Sequence, residues 1–232
     1  MEQGPYVKDE EEFDRLLREM YAAHPPITLS SEYAFLIEED MMTLLIRLAR
    51  YKFVARHLKE GDRVLEVGCG SGLGSIFMAQ HCAQVTGLEV TGYEIEDALK
   101  HNRRDNVTFL RQDFFDTTED EKVDVVVLLD VIEHLDEPDG RRMIEKTARH
   151  LKPTGMLVVG TPSLYSYDYQ SPASRAGHVK CYDQRELTDM IEDTYGRAVA
   201  FSMNDEMVHT GYPKMAWYYF VLAFLPGGAP VP

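Results

Sequence analysis

The strongest chemical signal in this sequence is a glycine-rich run flanked by acids: Val64-Leu65-Glu66-Val67-Gly68-Cys69-Gly70-Ser71-Gly72. Apolar residues lead into it and a helical pattern follows, which places it at a strand end, where an open α/β sheet binds ligands. Glycines let the backbone turn tightly and let a ligand approach the main chain. Glu89 ends the next apolar segment, roughly 20 residues on, where a carboxylate accepts both hydroxyls of a ribose. Gln112-Asp113 ends the third, where a carboxylate can accept a hydrogen bond from an adenine amino group. Either acid alone reads as a solvated loop charge. The right residue types at three successive strand ends read as an adenosine site. A dinucleotide fingerprint needs a small third residue where this chain has Leu73, and no lysine follows the loop as in a P-loop.

A second constellation follows the nearly all-apolar stretch 123–129, the pattern of a strand covered on both faces. It reads Leu129-Asp130-Val131-Ile132-Glu133-His134-Leu135. His134 can take a proton near neutral pH. His178 comes later, in Gly177-His178-Val179-Lys180, after an irregular segment 163–177 that holds Tyr165, Tyr167 and Tyr169. Asp130, Glu133, His134 and His178 also make a candidate metal set, suited to magnesium, manganese or zinc. The plainer reading is that the two acids cap a helix start and His134 positions a loop. Phe13, Tyr21, the three loop tyrosines and Met215-Ala216-Trp217-Tyr218-Tyr219 are candidate pocket walls, because aromatics with polar tips suit rings and sugar faces. The same residues can simply pack a core.

The elements that must position these groups alternate. Residues 7–22 and about 39–58 have helical spacing, with Pro25-Pro26 between them. Apolar strands are expected at 64–67, 84–88, 107–111, 123–129 and 156–160, with helices between them, so the sheet should be mostly parallel with right-handed crossovers. A helix over 184–192 and two strands at 198–203 and 218–224, paired antiparallel, complete the pattern. The expected fold class is therefore α/β, Rossmann-like and doubly wound. Residues 1–60 form a helical extension covering the site, 61–225 the main domain and 226–232 a frayed tail.

Size and charge narrow the partners. The 232 residues suffice for one good-sized core, and their net charge is −15. Such a surface repels phosphate backbones, which makes nucleic acid a poor partner and a small molecule the better one. Neither a long apolar run nor a secretory signal pattern is present in the sequence, and the three cysteines, Cys69, Cys82 and Cys181, lack metal spacing. These features suggest reduced thiols and a cytoplasmic location. Monomer and homodimer both stay open.

Residues 66–72 resemble the first motif of class I S-adenosylmethionine-dependent methyltransferases. Glu89, Asp113, the segment 124–135 and Leu151-Lys152-Pro153-Thr154-Gly155 resemble that family's later motifs, in order. The resemblance covers roughly residues 45–200 and implies a seven-stranded sheet, six strands parallel and the last antiparallel. It implies that Gly68 and Gly70 touch the methionine part of the cofactor and that Glu66 helps hold its amino group. Glu89 would bind ribose, and Asp113 adenine, with Gln112 and Phe114 alongside. Arg50 would pair with the cofactor carboxylate, and Asp130 would lie at the cofactor's edge. The Glu133-His134 pair and the later His178 are similar to the branch containing ubiquinone-pathway and sugar or small-molecule O-methyltransferases. That branch implies His134 and His178 as catalytic groups acting on a hydroxyl. N-methylation of a small amine, metal-dependent RNA 2′-O-methylation and a non-catalytic adenosine-binding scaffold are the competing readings.

Overall fold

The computed structural model describes residues 9–24, 26 and 28–227. Three helices come first: α1 (Glu10–Ala22), α2 (Ser31–Glu39) and α3 (Met41–Ala55). The helix expected over about 39–58 is α3, and α2, over 31–39, is a further helix that the sequence reading did not place. Asp40 breaks away at φ −150°, and its side chain caps α3 by accepting from the Thr43 N–H. Ser30 caps α2 in the same way through Tyr33. Each cap fixes where its helix starts, because its side chain accepts from an N–H that the first turn leaves unpaired. The first residues of the helix expected over 7–22 lie outside the described residues, and no residue of α1 is buried.

The alternating part then runs β1 (Arg63–Val67), α4 (Leu73–Met78), β2 (Gln84–Glu89), α5 (Gly92–His101), β3 (Val107–Arg111), β4 (Val123–Leu129), α6 (Glu137–His150) and β5 (Leu151–Pro162). After it come α7 (Pro172–Gly177), α8 (Gln184–Glu192), β6 (Tyr195–Asn204), β7 (Met207–His209) and β8 (Tyr218–Pro226). The eight strands form one sheet in the order β3-β2-β1-β4-β5-β8-β6-β7. β1 to β5 pair in parallel, and β8 lies antiparallel between β5 and β6. The antiparallel pairing of the last two expected strands is present. The sheet has one strand more than expected, the short β7, which hairpins off β6. Pro226, expected in the tail, ends β8, and Gly227 donates its N–H to the Thr194 carbonyl. The rest of that tail lies outside the described residues.

β4 explains the core. Val125 to Leu129 are all buried, and alternate residues serve opposite faces. Val125, Val127 and Leu129 pack with Val54, Met78, Ile95 and Ala98 from α3, α4 and α5. Val126 and Leu128 pack with Met143, Ile144, Leu187 and Ile191 from α6 and α8. Each such side chain contributes about 1.5–3 kcal/mol on burial. Two helical layers thus cover the sheet on both faces, and the carboxyl ends of β1, β4 and β5 open together on one edge. The turn at Lys152-Pro153-Thr154-Gly155 is absorbed inside β5, where the register jumps from Val123–Leu151 to Val125–Met156.

Candidate active site

A cavity of about 820 Å³ lies at that edge. Its floor is the loop after β1. Gly68, Gly70 and Gly72 all have φ between 52° and 83°, a conformation glycine adopts without cost. Space matters too: a Cβ on Gly68 would lie 2.6 Å from Val131 Cγ2, and one on Gly72 would lie 2.5 Å from the Phe109 ring. Glu66 sits beneath the loop, 1% exposed. Its Oε2 accepts from the Ser75 hydroxyl, and its Oε1 has no hydrogen-bond partner. Burial pushes its carboxyl up to about 7 against the opposing pull of Ser75 and Tyr51. Tyr51 reaches this spot only because residue 74 is glycine; a Cβ there would fall 2.0 Å from the Tyr51 ring.

Glu89 clamps the loop. Its two oxygens accept from the Gly70 N–H at 3.2 Å and the Thr91 N–H at 2.8 Å. The Gln112 N–H donates to the Glu89 carbonyl at 3.1 Å, which brings the second and third strand ends together. Asp113 is exposed and accepts from the Phe115 N–H at 2.8 Å. These residues gather beside the glycine loop, outside the lining of the large cavity. The Phe114 ring is buried in the core beside His150 and does not reach the cavity.

Arg50, on α3, donates from Nη1 to Asp130 Oδ2 at 2.6 Å and lies 3.9 Å over the Tyr218 ring. Its Nε is buried with no partner. Asp130 itself has φ 54°, an uncommon conformation for a residue with a side chain and one that clusters at functional sites. The resemblance pairs Arg50 with the cofactor carboxylate, with a structural salt bridge as the alternative; in the structure its ion-pair partner is Asp130.

Just after Asp130 the chain makes a 3-10 turn, Ile132–His134, that buries Glu133 completely. Glu133 Oε2 accepts from Thr161 at 3.0 Å, and Oε1 has no partner. Burial, then the neighbouring Asp130 charge, raises its carboxyl above the usual range. The Glu133 carbonyl accepts from the Val179 and Lys180 N–H groups, which docks the second histidine segment on the first. His134 Nδ1 lies 2.9 Å from the Gly177 carbonyl, and His178 Nδ1 lies 2.8 Å from Gln170 Oε1. Both partners are acceptors, so in each neutral ring Nδ1 carries the proton and Nε2 keeps its lone pair. The rings meet edge to face at 5.1 Å. Burial, and then His134, hold His178 below the usual imidazole value.

Glu133, His134 and His178 each offer a ligand atom within 4.8 Å of the others. Asp130, the fourth member of the expected set, is drawn away by Arg50 and is not in this cluster. Among the aromatic candidates, Tyr169, Trp217 and Tyr218 line the cavity, whereas Tyr165, Tyr167, Phe13 and Tyr21 do not. Sequence reasoning missed Tyr51, Ser75, Thr161 and Gln170, which hold Glu66, Glu133 and His178 from other elements.

Residues 65–159 match the family model described as "Methyltransferase domain". The chain is 35% identical over 121 residues to the ubiquinone biosynthesis O-methyltransferase of Coxiella burnetii (strain RSA 493 / Nine Mile phase I), covering 50% of this chain and 51% of that protein. It therefore spans about half the length of the curated relatives it matches. Among solved structures, it is similar to a methyltransferase seen in complex with the Haloferax volcanii Trm112 activator, with a TM-score of 0.64, 17% identity, and coverage of 86% of this chain and 100% of that one. It is also similar to the N-methyltransferase NodS of Bradyrhizobium japonicum bound to S-adenosyl-L-homocysteine, with a TM-score of 0.53, 21% identity, and coverage of 80% and 85%.

Proposed function

We propose that this chain, which carries a class I S-adenosylmethionine-dependent methyltransferase domain, methylates a hydroxyl oxygen on a small ring-bearing molecule. The observation that carries the reading is that His134 and His178, each with Nδ1 against an oxygen acceptor, line the same cavity as the glycine loop.

The residues fit the cofactor. The unpartnered, buried Glu66 Oε1 suits its ammonium, and the unpartnered Arg50 Nε suits its carboxylate. Gly68 and Gly70 leave the main chain bare beneath its methionine part. Glu89 is the ribose acceptor, and Gln112 and Asp113 stand where the adenine edge falls; Phe114 contributes packing behind them. Bound S-adenosylmethionine supplies a methyl group on a positively charged sulfur, which departs as a neutral thioether.

The chain's own work is positioning and proton transfer. His134 or His178 takes the acceptor's hydroxyl proton on Nε2 as the oxygen lone pair forms the new bond to carbon. The Gly177 carbonyl and Gln170 then stabilise the imidazolium through Nδ1–H. α2 and α3 form one wall of the cavity, so the described part of the N-terminal extension beyond α1 serves as cover. Holding acceptor and methyl in line supplies much of the remaining rate.

The same cluster supports a second reading, with a divalent cation. Two histidines whose Nδ1–H groups are fixed by oxygen acceptors, beside a carboxylate oxygen without a partner, make a suitable donor set. Such an ion would be held by Glu133, His134 and His178, and it would lower the pKa of a bound hydroxyl.

The test begins with calorimetric titration by S-adenosyl-L-homocysteine, comparing the native protein with Glu89→Ala. Tight binding weakened by the substitution is expected; no binding to folded native protein sinks the reading. Methyl transfer to catechol acceptors is then followed by mass spectrometry. His134→Ala and His178→Ala are expected to lower kcat by about 10²–10⁴-fold with cofactor affinity kept. Loss of native activity on chelation, restored by added cation, selects the metal reading over the pure base.

A further inference from the structure

The acceptor half of the cavity has its own chemistry. Tyr169 and Trp217 meet edge to face, with ring centroids 5.1 Å apart, and both line the cavity while remaining 75% and 46% exposed. Bonded contacts tie them to the histidines on one side and to the hairpin on the other. Tyr169 precedes Gln170, the residue that fixes His178. The Trp217 N–H donates to the Met203 carbonyl, and two residues further on Asp205 turns the chain from β6 into β7 with φ 48°.

The charges in this lining are uneven. Its two guanidinium groups are both engaged, Arg47 by Glu32 and Arg50 by Asp130. Of its carboxylates, Asp205 has neither a hydrogen bond nor an ion pair among the described residues. A phosphate or carboxylate on the acceptor would find Arg47 paired with Glu32 and Arg50 shared between Asp130 and the cofactor carboxylate, and would meet one unpaired negative charge. A cation would meet that carboxylate and the negative face of an aromatic ring, which attracts it for the same electrostatic reason.

We propose that Tyr169, Trp217 and Asp205 form the acceptor subsite, and that it selects a ring compound carrying a protonated amine over one carrying a phosphate or carboxylate. This rests on the methyl-transfer reading for its place beside the histidines. Its recognition chemistry is measured by binding alone.

Trp217 is the only tryptophan in the chain, so its fluorescence reports the subsite directly. Protein saturated with S-adenosyl-L-homocysteine is titrated with three catechols that share the reacting diol and differ in side-chain charge: dopamine, 4-methylcatechol and 3,4-dihydroxybenzoate. Dopamine is expected to bind most tightly and dihydroxybenzoate least, with about a tenfold span, the size of one exposed ion pair plus one cation–π contact. Asp205→Asn, a residue that tolerates the same backbone conformation, should bring dopamine within about twofold of 4-methylcatechol, with homocysteine-cofactor affinity kept. Tyr169→Ala should weaken all three while leaving Trp217 to report. Equal binding of the three, no binding of any, preference for the anion, or a dopamine preference of unchanged size in Asp205→Asn overturns the subsite. Charge-ordered binding with no methyl transfer leaves the subsite standing and sinks oxygen transfer. Failure to bind S-adenosyl-L-homocysteine sinks the methyl-transfer reading separately.

Discussion

Glu66 is the residue where burial and chemistry conflict most. Its carboxyl sits near 7 in the folded protein against an ordinary value of 4.5, and its Oε1 is unsatisfied. A raised carboxyl favours its protonated form, so its contribution to stability is full below pH 4.5 and is lost as pH rises through about 7. If the anion receives the cofactor's ammonium, the affinity for S-adenosyl-L-homocysteine should rise with pH by up to about tenfold per unit below 7 and level off above it. Glu66→Gln should flatten that slope. Calorimetry from pH 6 to 8 checks both, and a native slope equal to that of the variant refutes the role.

The part of the site around the glycine loop was legible at this scale because its signals are local. Glu66, Gly68, Gly70, Glu89 and Asp113 each declare themselves by standing at a strand end. The rest was not. Arg50 and Asp130 are 80 residues apart, and nothing in either neighbourhood says that they meet. Gln170 reads as an ordinary loop residue until the fold sets it against His178.

Elements explain the next layer. The short α4 starts from Gly72, which has left-handed geometry and no side chain to cap with, and Gly74 lies in its first turn under the Tyr51 ring. Helix propensity alone would favour alanine at 74, by about 1 kcal/mol. The opposite is expected here: Gly74→Ala forces a Cβ to within 2.0 Å of Tyr51 and should displace that ring from Glu66. Overpacking of this kind typically costs about 1–3 kcal/mol. A denaturant melt should show that loss, and cofactor affinity should fall with it; a more stable variant would refute the packing argument. α2 escaped the sequence reading, and its break from α3 falls at Asp40, whose side chain caps α3. The hairpin strand β7 escaped because three residues carry too little alternation to register.

At the scale of the whole molecule, the fold class was legible because one sheet with helices on both faces demands a repeated pattern, and the sequence repeats it. What that pattern leaves unspecified is how the carboxyl edge is furnished. There the chain leaves the sheet between Ser163 and Lys180, through a 3-10 helix and α7, and the excursion is held by a few bonds: Val179 and Lys180 to the Glu133 carbonyl, His134 to Gly177, Leu164 to Tyr182, and Ser163 to Tyr219 of β8.

Those few bonds give the site a melting behaviour of its own. The histidine pair is assembled from two segments, and only one of them belongs to the sheet. Detaching residues 163–180 would separate the imidazoles while the eight strands stay paired. Inactivation on warming should therefore precede the loss of sheet structure, and the amide protons of Val179 and Lys180 should exchange with solvent faster than those of Val126 or Leu157. Activity and exchange followed along the same temperature ramp would show whether the two events part company. If they do, this edge acts as a fuse, failing first and resetting on cooling while the sheet beneath it stays intact.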